Sequence, residues 1–126
     1  MRKSITTGLI ALFAIVMCVA TVQAQNATSG TAGPLKWQYN TGTKTLTISG
    51  KGEMPDYISY KTFTYELKMP WVAFLEEMVA VVVKEGVTSL GKGAFCDSES
   101  LVSVTLPESL RKIGPEAFAN CEKLPV

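Results

Sequence analysis

Between residues 33 and 50, apolar and polar positions alternate one by one. Leu35, Trp37 and Tyr39 alternate with Pro34, Lys36 and Gln38, and Leu46 and Ile48 alternate with Thr45, Thr47 and Ser49. A period of two, rich in aromatic and β-branched residues and broken by Asn40-Thr41-Gly42-Thr43-Lys44, predicts a β-hairpin. Trp37, Tyr39, Leu46 and Ile48 then share one buried face, and because a lone hairpin is marginal in water, that face must cover something else. Residues 50–57, with Gly50, Gly52 and Pro55, read as turns; a phosphate-holding loop needs more glycines and a following helix. Residues 58–69 fit either an irregular loop or a short strand. After Pro70, the residues Trp71, Phe74, Leu75 and Met78 fall at helical spacing, predicting a short helix with these four in the core.

The second half repeats itself. Residues 78–103 aligned with 101–126, a shift of 23, give eight identities in 26 pairs: Val79/Val102, Val81/Val104, Glu85/Glu108, Gly91/Gly114, Ala94/Ala117, Phe95/Phe118, Glu99/Glu122 and Leu101/Leu124. Ordinary composition would give about one or two. A period in this range with a leucine-rich frame predicts a solenoid, because one coil cannot bury its apolar side alone. Val104 and Leu106 share the inward face of a short strand, with Leu110, Ile113, Ala117 and Phe118 also feeding the core. Ser103 and Thr105 face outward, as do Ala80 and Val82 one coil earlier; these four form the expected partner-contact face. The predicted fold class is α/β, a short solenoid of 23-residue period behind a hairpin-containing cap. The division is 1–24 signal peptide, 25–33 flexible linker, 34–77 cap and 78–126 repeats.

The amino terminus reads as an export signal. Arg2 and Lys3 precede a mostly apolar run over residues 5–22, and Val22 and Ala24 supply the small side chains a signal peptidase reads. The alternatives are a membrane anchor, since the run approaches spanning length, and a lipoprotein at Cys18, which Met17 disfavours by its size. Cleavage after Ala24 removes Arg2 and Lys3, turning the formal charge from +1 to −1. Such a balance gives no electrostatic case for nucleic acid or an anionic membrane surface. The chain has no histidine, which excludes Ser-His-Asp and Cys-His nucleophile systems and histidine metal sites.

Glu85-Gly86-Val87-Thr88-Ser89-Leu90-Gly91-Lys92-Gly93-Ala94-Phe95 resembles BspA-like leucine-rich repeats. So do Leu106-Pro107-Glu108-Ser109-Leu110 and the run from Ile113-Gly114-Pro115-Glu116-Ala117-Phe118 to Cys121 and Leu124. The front half, through Leu35-Lys36-Trp37-Gln38-Tyr39, Thr45-Leu46-Thr47-Ile48-Ser49-Gly50 and Pro70-Trp71, is similar to the lead-in module that often precedes them. The resemblance implies an exported bacterial surface or secreted protein associated with adhesion to proteins or other cells. No cofactor, no metal and no catalysis are expected.

Two departures from the family pattern stand out. The family's cysteine position holds Cys121 in one repeat and Ser98 in the other, while Cys96 lies two places early. The register stacks Cys96 over Ala119 and Cys121 under Ser98, so a buried core thiol is the better reading than a Cys96–Cys121 bond. The repeats reach only a few residues into a third coil, so Val104, Leu106, Leu110, Ile113 and Phe118 are expected to lie uncovered at the end of the stack. Self-association through that end is one expectation. Asp56, and Asp97 near Glu99, read as solvated surface carboxylates, and an enzyme would need a carboxylate-only site such as a glycosidase pair. The leading expectation is a non-catalytic module that recognises a protein or surface glycan. The alternative is a truncated cap or fragment with no activity of its own.

Overall fold

The computed structural model describes residues 27–57 and 69–125. The signal-peptide reading of residues 1–24 and the loop-or-strand reading of residues 58–68 lie outside the described residues. The strands are β1 (Ser29–Ala32), β2 (Leu35–Asn40), β3 (Thr45–Gly50), β4 (Gly52–Glu53), β5 (Ala80–Val83), β6 (Val87–Leu90), β7 (Ser103–Thr105) and β8 (Lys112–Ile113). They form a five-stranded sheet in the order β1-β2-β3-β5-β7 and a three-stranded sheet β4-β6-β8.

Alternation explains β2 and β3. Trp37 lies opposite Ile48 and Tyr39 opposite Leu46 in an antiparallel pair, and all four are buried. The loop between them is tied by the Asn40 side chain, whose Oδ1 accepts the N–H groups of Gly42 at 2.8 Å and Thr43 at 3.0 Å. Asparagine suits this place because its short amide imitates a backbone turn. The buried face of the hairpin then continues into the parallel strands. Leu46 lies opposite Val81 and Val81 opposite Val104, while Ile48 lies opposite Val83. Across the 77/78 division, therefore, β3 and β5 belong to one sheet.

The core beneath this sheet is aromatic. Trp71, fully buried, makes edge contacts with Trp37 (6.1 Å between centroids) and Tyr57 (5.7 Å) and stacks on Phe95 (5.6 Å). Phe95 in turn stacks on Phe118 at 5.4 Å. Backbone bonds run beside this ladder, from the N–H groups of Gly93, Phe95 and Asp97 to the carbonyls of Pro115, Ala117 and Ala119.

Four expectations need correction. The linker assigned to residues 25–33 contains β1, antiparallel to β2 with Ser29 opposite Gln38 and Ala32 opposite Leu35. It occupies backbone groups that β2 would otherwise leave open at an edge. The helix after Pro70 is a single 3-10 turn, Val72–Phe74, and the described residues contain no α-helix, so the α/β class gives way to strands joined by turns. The segment is too short to sustain an α-helix, and its N–H groups bond three residues back (Phe74 to Trp71, Leu75 to Val72). Its four apolar residues are nevertheless buried. Asp97 is 2% exposed rather than solvated, accepting a 2.8 Å hydrogen bond from the Asn120 side-chain amide. Asp56 is exposed, but its Oδ1 accepts the N–H of Lys92 at 2.8 Å and so joins β4's flank to the next layer. Among the described residues no helix is long and apolar enough to cross a membrane.

Corresponding residues share backbone conformation. Asp97 (φ 68°) and Asn120 (φ 61°) are both left-handed, as are Gly93 (φ 65°) and Glu116 (φ 61°). A side chain in this region costs about 1–2 kcal/mol, partly offset by the extra entropy that glycine loses on folding. Glu116→Gly is therefore expected to stabilise the chain by about 0.5–1 kcal/mol. A urea titration compared with wild type checks this, and a loss of stability would refute it.

Candidate functional site

The outward side of the five-stranded sheet is a broad face built from aligned side chains. Strand pairing sets them in rows. One row runs Asn40, Thr45, Ala80, Ser103, and the next runs Ser29, Gln38, Thr47, Val82, Thr105. A third, shorter row holds Thr31, Lys36 and Ser49. Each lies on the side opposite the buried Leu46, Ile48, Val81 and Val83, because successive residues of a strand point to opposite faces. The inner members Thr45, Thr47, Ala80 and Val82 are half-buried between neighbours, and Ser103 and Thr105 at the β7 edge are exposed.

Ala80, Val82, Ser103 and Thr105 are thus brought together, Ala80 beside Ser103 and Val82 beside Thr105. The face is wider than these four. It extends across β3 and β2 through Thr45, Thr47, Gln38 and Asn40, which the sequence reading left in the cap. The available signal was Thr45-Leu46-Thr47-Ile48, which has the outward-inward alternation of Ala80-Val81-Val82-Val83.

Two shallow recesses sit on this face. One, of about 460 Å³, is lined by Ser29, Thr31, Lys36, Gln38, Thr47 and Ser49 with Gly30 and Trp37. The other, of about 360 Å³, is lined by Gln38, Asn40, Thr43, Thr45 and Thr47. Their shared members, Gln38 and Thr47, make them one continuous track. The lining offers hydroxyls, amides and a single ammonium, Lys36, and no carboxylate. Such a surface hydrogen-bonds in both directions and carries little charge of its own.

Four carboxylates accept backbone or side-chain donors within the fold instead. Besides Asp56 and Asp97, Glu85 Oε2 accepts the N–H of Glu108 at 2.8 Å, and Glu77 Oε2 accepts the Tyr39 hydroxyl at 2.8 Å. Burial, with Glu77 adding to it, holds the Tyr39 phenol far above its ordinary pKa, and burial pushes Tyr57 up to about 12. Both phenols therefore stay protonated near neutral pH. Cys96 and Cys121 are both buried, and burial raises the Cys121 thiol, whose Sγ lies 3.2 Å from the Phe95 carbonyl oxygen. Among the described residues no group of three or more Cys, Asp or Glu is placed to hold a metal ion.

Comparison with known proteins agrees with this geometry. Residues 57–125 match the family described as BspA type leucine rich repeat region (6 copies). The chain is similar to a leucine-rich repeat protein from Eubacterium ventriosum ATCC 27560, with 30% identity and a TM-score of 0.64, covering 79% of this chain and 26% of that one. It is also similar to a leucine rich cell surface protein from Faecalibacterium prausnitzii A2-165, with 21% identity and a TM-score of 0.40, covering 81% of this chain and 30% of that one. The chain thus spans between a quarter and a third of the length of these two proteins. No curated protein matches it. By the family match over more than half its length, the chain belongs to the BspA-type leucine-rich repeat family.

Proposed function

We propose that this chain is an exported, non-catalytic recognition module that binds another protein at the bacterial cell surface through the outward face of its five-stranded sheet. Its layers are read as coils of a short solenoid with a 23-residue period, capped by residues 34–77. The observation that carries the proposal is the row Gln38, Thr47, Val82, Thr105. Uncharged side chains from four neighbouring strands stand in register across one open face, while the opposite face is buried. Stacked repeats present extended surfaces of this kind to partners. Membership of a leucine-rich repeat family supports a protein partner, and the basic, apolar start of the sequence supports export.

The test is a binding array of bacterial-surface and matrix proteins probed with purified residues 25–126. At least one protein should bind, and the double variant Thr47→Arg/Thr105→Arg should weaken that binding by about tenfold or more while far-UV circular dichroism stays unchanged, since both side chains point away from the core. Binding that survives the double variant would move the site off this face. Signals confined to a glycan array would replace the protein partner with a carbohydrate.

A further inference from the structure

Among the described residues, charge on the outward face gathers at one end. The rows of Thr45 and Thr47 carry no charged side chain. The third row differs. Lys36 lies opposite Ser49 on β3, and the Lys84 N–H donates to the Ile48 carbonyl at 2.9 Å. That bond carries the β3–β5 register one residue beyond Val83 and sets Lys84 on the other side of Ser49. Lys84 continues the alternation of Ala80 and Val82, so its side chain leaves on the outward side, and both lysines are exposed. We infer that this end receives a carboxylate, the protein partner laying on the face an extended segment that bears aspartate or glutamate. The inference deepens the surface-recognition reading above and rests on it.

Neighbouring strands lie about 5 Å apart, so the two lysines stand roughly 10 Å apart with Ser49 between them. Each ammonium sits on a flexible four-carbon stem, and both can close on one carboxylate lying over the Ser49 hydroxyl, which is itself a donor. Among the described residues neither ammonium pairs with a carboxylate. Glu85, next to Lys84 in the chain, is turned instead to the N–H of Glu108. The whole sequence has a formal charge of only +1, so the positive end is a local feature that orients a partner rather than a bulk attraction.

The larger of the two recesses, about 460 Å³, opens at this end and has Lys36 and Ser49 in its lining. From there the track runs on through Gln38, Thr47 and Thr45. Their amide and hydroxyls both donate and accept, which is what the N–H and C=O groups of an extended polypeptide require. An acidic sugar would also satisfy the lysines, but the outward rows carry no aromatic ring on which a sugar could stack. The rings of Trp37 and Tyr39, which lie between Lys36, Gln38 and Asn40 in the chain, are turned into the core. The combination of a carboxylate end and an uncharged, two-way hydrogen-bonding track therefore favours an acidic peptide segment.

The test is a nitrogen-15 NMR titration of the purified chain at low salt with three probes. These are a short peptide alternating serine and glutamate, its match alternating serine and glutamine, and an oligogalacturonate. The glutamate peptide should shift the amides of Lys36, Ser49 and Lys84 and bind about fivefold or more tightly than the glutamine peptide, a preference that fades as salt is added. Lys36→Gln/Lys84→Gln should abolish the preference. Lys92→Gln/Lys112→Gln, which removes the same charge on and beside the three-stranded sheet, should retain it. Equal losses in the two double variants, equal binding of the two peptides, or no binding of either would overturn this inference alone. The outward face would then still be judged by the array and its own variant, Thr47→Arg/Thr105→Arg. Shifts confined to residues off the five-stranded sheet would overturn the face reading as well. Binding of the oligogalacturonate through Lys36 and Lys84 without binding of the glutamate peptide would make the partner an acidic glycan, and that too overturns the inference.

Discussion

Gly91→Ala is expected to cost about 3 kcal/mol or more, at the upper end of what a methyl group inserted into a packed interior does. For a chain of this size that is a fall in Tm of roughly 10–20 °C. Gly91 has no left-handed backbone to protect. Its constraint is distance, since a Cβ there would sit 1.7 Å from the carbonyl oxygen of Pro55, 2.5 Å from its carbon and 3.1 Å from Cα of Asp56. All three are backbone atoms, so no rotamer change relieves the overlap. The two layers would have to part, and the bonds that join them are close by: Met54 N–H to Ser89 O, Tyr57 N–H to Lys92 O, and Lys92 N–H to Asp56 Oδ1. Gly114 occupies the corresponding place one layer on, where a Cβ would lie 2.6 Å from the Lys92 nitrogen. There the overlap is smaller, and among the described residues the same layer carries the exposed Leu106 and Ile113, so it can yield outward. Thermal melts of the two variants should therefore rank Gly91→Ala well below Gly114→Ala. Equal losses would mean that layer separation, rather than overlap at Pro55, sets the cost.

These two glycines also show what the sequence made readable. Gly91/Gly114, Ala94/Ala117 and Phe95/Phe118 are identical across the shift of 23, and the structure places them where layers touch: glycine where backbones nearly meet, alanine beside them, phenylalanine in the ring stack. Contact between equivalent residues restricts both partners at once, so it leaves a mark in a self-comparison. The alternation of β2 and β3 was legible for a similar reason, one face being buried and the other open.

Other features left no such mark. β1 is Ser29-Gly30-Thr31-Ala32, with only Ala32 buried, so no amphipathic pattern distinguishes it from a linker. The union of β3 with β5 was hidden by spacing. Thr45 pairs with Ala80, 35 residues on, whereas Ala80 pairs with Ser103, 23 residues on. The twelve extra residues between β3 and β5 put that layer out of phase with any single shift, and so the outward face looked narrower than it is. Asp97 looked solvated because its partner Asn120 lies 23 residues on, and the Asp97/Asn120 pair is not an identity.

Trp71→Ala is the second large expected effect. The side chain is fully buried, packs its ring on Trp37, Tyr57 and Phe95, and donates its indole N–H to the Ala94 carbonyl at 2.9 Å. Truncating a buried aromatic costs about 3–5 kcal/mol, and stranding a buried acceptor adds about 1–3. The sum rivals the whole stability of many domains, roughly 5–15 kcal/mol, so the variant should be largely unfolded or molten at 37 °C. Trp71→Phe separates the two contributions, keeping most of the apolar ring while losing the donor, and should cost about 1–3 kcal/mol. Phe118→Ala supplies the comparison at the other end of the ladder. That ring is half-buried and, among the described residues, its ring contact is with Phe95, so its loss should be well short of the full aromatic cost, about 1–2 kcal/mol. Urea unfolding followed by far-UV circular dichroism, which does not depend on the deleted tryptophan, should order the three as Trp71→Ala, then Trp71→Phe, with Phe118→Ala no worse than Trp71→Phe. A Phe118→Ala loss as large as that of Trp71→Ala would place the stability of the chain in its last layer. The ring-by-ring account would then fail, since it puts the core where the hairpin, the 3-10 turn and the first of the matching layers meet around one indole.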